Sequence, residues 1–538
     1  MSASHAGTPL RSAPALAHGA RFLASLPPYL RKRIDVASAR ALHERALATR
    51  ENRFFEMVGA AAFDRPQSLL GRLFRHAGVG RGELHGLVER EGLEGALKAL
   101  FRAGVYITVD EFKGRAPLVR GSLSLDATPE SLRNPLARFH VAAQSGGSRS
   151  KAPPFLIDLA YVRASANAFL LHLDANGLAS SRKATWESPG AGCRFRLLKY
   201  ACFGPRPDAW FTPVDPRDPD LDPIFLWSQR AMRAGGFIAR APLPSATIAT
   251  RDDPSPILAW IQSCLMAGEV PHVHTQPTAL VALAIAARKA GADLTGAFGT
   301  TLGEPTTVAR LATIESCGLK AFPRYGTIEA GPIGYGCRNP TEVDEVHFIR
   351  DLHAFIQPGE NGPDVGLPPR SILLTALHTA APYTMLNFSM GDEAIVDESD
   401  CGCALSSLGW NPRLRHIRSF EKFTAAGITF DDTEVVRLLE EVLPRRFGGG
   451  PADFQLVEDE NDQGEPVLIL RVHPRVDDLE ESALGEAFFS VLGEGSPIAQ
   501  VMQRALHGSV TLEVERGPPH MTRSGKFTHL HIRTREHA

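Results

Sequence analysis

Four short stretches of the chain combine residue types that could bind or move charge. In QSGGSRSK (Gln144–Lys151), Gly146 and Gly147 lack Cβ atoms, so successive backbone N–H groups could turn toward one oxyanion. Ser145, Ser148 and Ser150 would add hydroxyl donors and Arg149 or Lys151 a positive charge. The same composition also makes a mobile Gly/Ser connection, and the spacing is not that of a Walker loop. In FPRYGTIEAGPIGYGC (Phe322–Cys337), Glu329 follows a tight turn, where a carboxylate could hold Mg²⁺ or simply close a strand end. In NFSMGDEAIVD, Asp392 follows Gly391 and could accept hydrogen bonds from a ribose or close a turn. In MTRSGKFTHLHIR, Lys526 follows Gly525 on a turn, where a lone lysine is more often solvated than catalytic.

A second set of residues has metal-ligand chemistry. Cys337, His347, Cys401 and Cys403 offer three thiolates and an imidazole, a donor set that suits tetrahedral zinc. Their spacing is not that of a zinc finger, and cysteine also packs as a small hydrophobe. His272 and His274 in VPHVHTQP alternate, so a strand would place both on one face, for packing or for lining a pocket.

These groups need a scaffold, and the chain is long enough for more than one. Its 538 residues favour two or more domains, and 43% hydrophobic with 22% charged residues is ordinary globular composition. Basic and acidic residues number 58 and 60, which leaves no electrostatic footprint for nucleic acid and no polybasic membrane signal. The longest apolar run, Ala279–Ala287, is far short of the roughly 20 residues of a spanning helix. Seven scattered cysteines do not form a secreted disulfide framework, so a cytoplasmic protein is expected, with a disordered start leading into its first helix.

Apolar residues at three- and four-residue spacing predict a helical region over 1–104. From Val105, β-prone runs (VYITV, LLKYACF, FIARAPL) alternate with helical stretches such as PTALVALAIAARKAGA and PTTVARLATIESCG. That alternation predicts an α/β layered domain over 105–417. Beyond GWNPRLRHIRSFEKF the order helix, strand (FQLVEDE), turn (NDQGE), strand (PVLILRV), helix, strand (SVTLEVER) predicts a small α+β module over 418–538.

In this order, the motifs resemble those of the adenylate-forming superfamily of acyl-CoA synthetases, and within it the phenylacetate–CoA ligase-like branch, over residues 105–530. The resemblance implies a large α/β domain of layered sheets and helices with a small mobile α+β lid. It implies that Ser145, Gly146, Gly147, Ser148 and Lys151 bind ATP phosphates, and that Gly303 and Glu304 (LGEP) precede the Tyr325–Gly326–Thr327 motif of the nucleotide site. Glu329 would hold Mg²⁺, Asp392 the ribose, and Arg418 would mark the hinge. Lys526 would bridge the substrate carboxylate and the α-phosphate. An acid pocket carrying Tyr200, Phe203, His272 and His274 would suit an aromatic acid. Members of the branch bind zinc through cysteines and a histidine at similar places, which implies a structural zinc on Cys337, His347, Cys401 and Cys403.

The implied reaction is ATP-dependent adenylation of a carboxylic acid, followed by transfer to coenzyme A or another nucleophile such as a carrier protein, and the chain could form a homodimer. Amide or N–N bond formation without coenzyme A, or a degenerate nucleotide-binding protein, are the alternatives. Four departures motivate them. SRS replaces a Thr-Gly pair, YGTIE replaces Tyr-Gly-x-Thr-Glu, Asn387 and Phe388 replace Arg-Tyr, and Phe420–Glu421 replaces an acid pair.

Overall fold

In the computed structural model the amino-terminal region is helical, as its spacing predicts. The structure describes residues 13–138, 141–143, 155–216, 223–363, 365–420, 422–425, 428–431, 435, 437–450, 452–476, 480–492, 511–520 and 530–532. The start of the chain at 1–12, the loop 144–151, and Gly525 with Lys526 therefore lie outside the described residues. Helices α1 (Ala13–Arg31), α2 (Val36–Ala48), α3 (Arg50–Val58), α4 (Leu69–His76) and α5 (Arg81–Arg102) come first. Asp35 caps α2 by accepting from Ser38 N at 2.7 Å, and Ser68 caps α4 by accepting from Gly71 N at 3.0 Å. Their apolar faces, including Phe54, Leu73, Phe74 and Leu100, share one core with Tyr335, Leu373 and Trp410. The helices thus cover the large sheet rather than enclosing a core of their own.

That sheet has twelve strands: β1 (Arg182–Trp186), β2 (Pro207–Thr212), β3 (Ala246–Ile248), β4 (Pro271–Thr275), β5 (Phe298–Thr301), β6 (Lys320–Thr327), β7 (Gly331–Tyr335), β8 (Val346–Phe348), β9 (His353–Ile356), β10 (Ser371–Ala376), β11 (Phe388–Asp397) and β12 (Arg413–Ser419). Their order is β9-β10-β11-β12-β8-β7-β6-β5-β4-β1-β2-β3. Strands β1 to β6 pair in parallel, in the order 3-2-1-4-5-6, and the remaining pairs are antiparallel. The parallel half is a doubly wound arrangement whose strand order reverses between β1 and β4. In such sheets ligands bind in the crevice beyond the carboxyl ends of the strands at that reversal. Helices α6 (Leu159–Ala175) and α7 (Ala191–Tyr200) cover one face, and α8 (Pro277–Lys289) packs in a second apolar core with Ala184, Trp186 and Val273.

The β-prone runs VYITV, LLKYACF and FIARAPL do not form strands. Leu197–Tyr200 ends α7, Phe237 and Ile238 end the helix Pro223–Ile238, and Val105–Val109 makes a single bridge, Ile107 to Phe388. Only VYITV among them is rich in β-branched residues, so helix continuation overrides a weak strand preference in the other two.

Strands β13 (Phe454–Glu460), β14 (Pro466–Val472), β15 (Thr511–Arg516) and β16 (Leu530–Ile532) make a separate sheet in the order β15-β14-β13-β16. It has its own core of Leu438, Leu439, Leu456, Leu470 and Phe488. It touches the large sheet's helices where Arg310 Nε donates to Gly464 O at 3.1 Å and Thr307 Oγ1 donates to Glu460 at 2.7 Å. Among the described residues, no helix is long and apolar enough to cross a membrane.

Candidate active site and metal centre

The turn between β6 and β7 sits at the carboxyl end of the last parallel strand. A Cβ at Gly326 would collide with the carbonyl oxygen of Gly331, so the hairpin closes only because residue 326 has none. Thr327 Oγ1 accepts from Ala330 N at 3.0 Å, and the phenol of Tyr161 on α6 donates to Ala330 O. Together these contacts hold the turn that carries Glu329, which is half-buried. The Thr327 hydroxyl is already engaged within the turn. Burial, with Glu329 adding its charge, pushes the nearby Tyr383 phenol up.

Tyr325, on the neighbouring position of β6, donates its phenol to Asp392 Oδ2 at 2.8 Å. Burial and the Asp392 carboxylate hold that phenol well above its usual range, so it remains a donor. Asp392 follows Gly391, whose positive φ of 82° and carbonyl, taken by Phe420 N at 2.8 Å, bend β11 there. Two residues separated by 67 positions are thereby joined at one end of the crevice. Asn387, one of the departures, is at φ 46°, which asparagine tolerates, and its side chain donates to Leu97 O and Val105 O. Phe388 packs edge-on against Phe112. Both residues serve the core there.

Gly303 has φ 81° and Glu304 follows with its side chain fully buried. The Glu304 carboxylate accepts from Thr278 Oγ1 at 3.0 Å, at the start of α8, and faces Arg251 and Arg310 at 3.9 Å. The Glu304 carboxylate is thus engaged inside the fold. Arg418, on β12, donates to Asp344 Oδ2 at 3.1 Å and to Ile417 O at 2.7 Å.

Tyr200, Phe203, His272 and His274 do come together, but in closed packing: each is 0% exposed. Phe203 packs beneath Lys183 Nζ, 5.0 Å from its ring, and His272 Nε2 bonds Thr300 Oγ1 at 2.9 Å. Tyr200 stacks on Phe169 with centroids 5.3 Å apart. Lys199, Arg324, Phe169 and Tyr335 belong to the same cluster and were not singled out by sequence. Arg196, Lys199 and Tyr200 lie three and four apart on α7, a helical spacing hidden by the β-like composition of LLKYACF.

The metal-ligand set also assembles. Cys337 follows β7, His347 is on β8, and Gly402, at φ 69°, turns Cys401 and Cys403 the same way. All four donor atoms lie within 4.8 Å of one another. Cys337 Sγ and Cys401 Sγ are 4.0 Å apart, and His347 Nε2 is 3.4 Å from Cys401 Sγ and 3.3 Å from Cys403 Sγ. A tetrahedral zinc with Zn–S of about 2.3 Å and Zn–N of about 2.0 Å requires edges of about 3.8 and 3.5 Å. The other ring nitrogen, His347 Nδ1, lies 2.9 Å from Trp410 O. A proton on Nδ1 leaves the Nε2 lone pair facing the sulfurs. The hydrogen bond between Cys337 and Cys403 pulls the Cys403 thiol well down and pushes Cys337 up.

No family model and no curated protein matches the chain. Among solved structures it is similar to 2-hydroxyisobutyryl-CoA ligase in complex with 2-HIB-AMP and CoA in the thioesterification state. The TM-score is 0.52 at 16% identity, over 93% of this chain and 91% of that one. It is also similar to the amide bond synthetase McbA from Marinactinospora thermotolerans (TM-score 0.38, 14% identity, 77% and 72% covered). A third likeness is to the anthranilate CoA ligase AuaEII (TM-score 0.33, 13% identity, 71% and 63% covered). From its doubly wound half to its small terminal sheet, the chain has the fold of the adenylate-forming acyl-CoA ligases.

Proposed function

We propose that the chain is an AMP-forming ligase that activates a carboxylic acid with ATP and passes the acyl group to a nucleophile, coenzyme A being the leading one. The observation that supports this most is the pairing of Tyr325 with Asp392 beside the Glu329 turn, at the carboxyl ends of the parallel strands. Asp392, oriented by the Tyr325 phenol, would accept the ribose hydroxyls. Glu329 would hold Mg²⁺, which supplies charge neutralisation on the phosphates. The 144–151 loop would hold the β- and γ-phosphates through backbone N–H groups and serine hydroxyls. Lys526 would place its ammonium between the carboxylate and the α-phosphate, countering the repulsion of two anions brought together. A zinc held by Cys337, His347, Cys401 and Cys403 would be structural, since four protein ligands leave no open position.

Pyrophosphate release from ATP with a panel of carboxylic acids, with and without coenzyme A, tests the reading. Release with at least one acid, lost in Lys526→Ala, is the expected result. A Lys526→Ala protein that releases pyrophosphate at the normal rate refutes the assignment of that lysine. No release with any acid refutes adenylation.

A further inference from the structure

Two central parallel strands of the large sheet, β1 and β4, have one apolar and one polar face. Along β1 and β4, Ala184, Trp186 and Val273 enter the second core, while the alternate residues Lys183, Thr185, His272 and His274 face α6 and α7. Parallel strands covered on both sides normally read as continuous apolar runs, so a polar inner face calls for a reason. Most of these groups have local partners. Lys183 Nζ donates to Ser181 O at 3.2 Å and Pro205 O at 2.5 Å, Thr185 Oγ1 to Glu187 at 3.1 Å, and His272 is bonded to Thr300.

Around them, several buried polar atoms do not. Lys199 Nζ, Tyr200 Oη and both ring nitrogens of His274 have no hydrogen-bond partner among the described residues, and neither do the second ring nitrogens of His172 and His272. Lys199, Tyr200 and His274 are each 0% exposed. They converge on one ring: Lys199 Nζ lies 4.5 Å from the Phe169 centroid, Tyr200 stacks on it at 5.3 Å, and His274 meets it edge-on at 6.0 Å. Buried polar atoms are nearly always paired, and four orphans in one place mark a position for an absent partner. His274 is in register with Thr185 across β4 and β1, the pair where strand order reverses. The cluster therefore lies directly beneath the crevice where a ligand is expected.

The charges around it select the partner. Arg196 takes the Glu187 carboxylate with two bonds, at 2.6 and 2.9 Å. Lys199, and Arg324 opposite Tyr335 across β6 and β7, form no ion pair among the described residues. Burial, with Arg324 and Arg196 nearby, holds the Lys199 ammonium well below its usual range. A carboxylate would favour the protonated amine against that cost, whereas an alkyl group would leave all four atoms without partners.

We propose that the acid activated at this crevice carries a second carboxylate, received by Lys199, Tyr200 and His274. The proposal rests on the adenylation reading for the first carboxylate. In the complex Lys199 Nζ, Tyr200 Oη and one nitrogen of His274 donate to the second carboxylate's oxygens, and its arrival restores the lysine's proton.

Calorimetric binding to the full chain tests it without turnover. Dicarboxylates from succinate to adipate, and the three benzene dicarboxylates, are each compared with the monocarboxylate of the same skeleton. At least one diacid should bind about tenfold or more tightly than its monoacid, the scale of a charge-assisted hydrogen bond. Lys199→Met should erase that ratio, and Tyr200→Phe, which keeps the stack on Phe169, should reduce it. Lys199→Met should also raise the melting temperature of the unliganded protein, because it removes an unpaired buried amine. Equal binding within every pair, or a preference unchanged in both variants, overturns the proposal. Pyrophosphate release with the same acids separates the two readings. A diacid preference without release refutes adenylation alone, and release without a preference refutes the second-carboxylate site alone.

Discussion

Replacing Cys403 by alanine should empty the metal centre, and the geometry sets the scale of the effect. Three of the donor separations, 4.0, 3.4 and 3.3 Å, match the edges of a zinc tetrahedron to about 0.2 Å. Zinc-finger peptides bind with about 10–16 kcal/mol while also folding around the ion. Here β7, β8 and the Cys401–Cys403 turn already hold the donors, so the folding cost is smaller and a Kd of about 1 nM or tighter is expected. At a free zinc concentration about 1,000 times that Kd, mass action stabilises the folded chain by about 4 kcal/mol. Protein purified without chelator should therefore carry one zinc per chain by elemental analysis. Cobalt substitution should give the visible spectrum of a tetrahedral thiolate site. Cys403→Ala should lose the ion and melt several degrees lower, as should the parent after chelation. Cys264→Ala, which alters a buried thiol outside the set, should keep its zinc. Metal-free parent protein from zinc-supplemented cells, or Cys403→Ala with full zinc content, would refute the reasoning.

Other substitutions probe the nucleotide end and the polar face. Tyr325→Phe removes the donor to Asp392, a charge-assisted bond of about 1.5–3 kcal/mol, so the KM for ATP in pyrophosphate release should rise about tenfold or more. An unchanged KM would remove Asp392 from the ribose site. Gly326→Ala forces a Cβ against Gly331 O and should destabilise the β6–β7 hairpin by about 1–3 kcal/mol, seen as faster amide exchange around Glu329. Native-like exchange there would show that the turn tolerates the clash. Burial moves Lys183 from 10.5 to about 7. Between those values the unfolded chain binds a proton that the folded chain does not, so stability rises with pH across that window. Lys183→Met should flatten the rise in melting temperature from pH 7 upward, and an unaltered slope would show that the amine stays charged.

The small terminal sheet was legible almost strand by strand, because FQLVEDE, PVLILRV and SVTLEVER are bounded by turn residues and flanked by helical repeats. The helical start was legible for the same reason of period. LLKYACF was misread because its composition fits either state, and only packing against Phe169 and β1 decides. The pairing of Tyr325 with Asp392 lay beyond spacing arguments, since it joins β6 to β11 across three intervening strands of the sheet. Glu304 shows the opposite difficulty: its position in the motif is legible, but its inward-turned carboxylate follows from Thr278 and two arginines distant in sequence. Lys199 escaped notice because nothing in sequence distinguishes an orphaned buried amine from a solvated one.

The two faces of β1 and β4 also separate two kinds of evolutionary risk. Trp186 and Val273 hold the sheet to α8's core, while their immediate neighbours Thr185 and His274 point the other way. Substitution at 274 would therefore alter the polar face of the sheet without touching the apolar layer against α8. Drift at the intervening positions would be purged for instability before specificity could change.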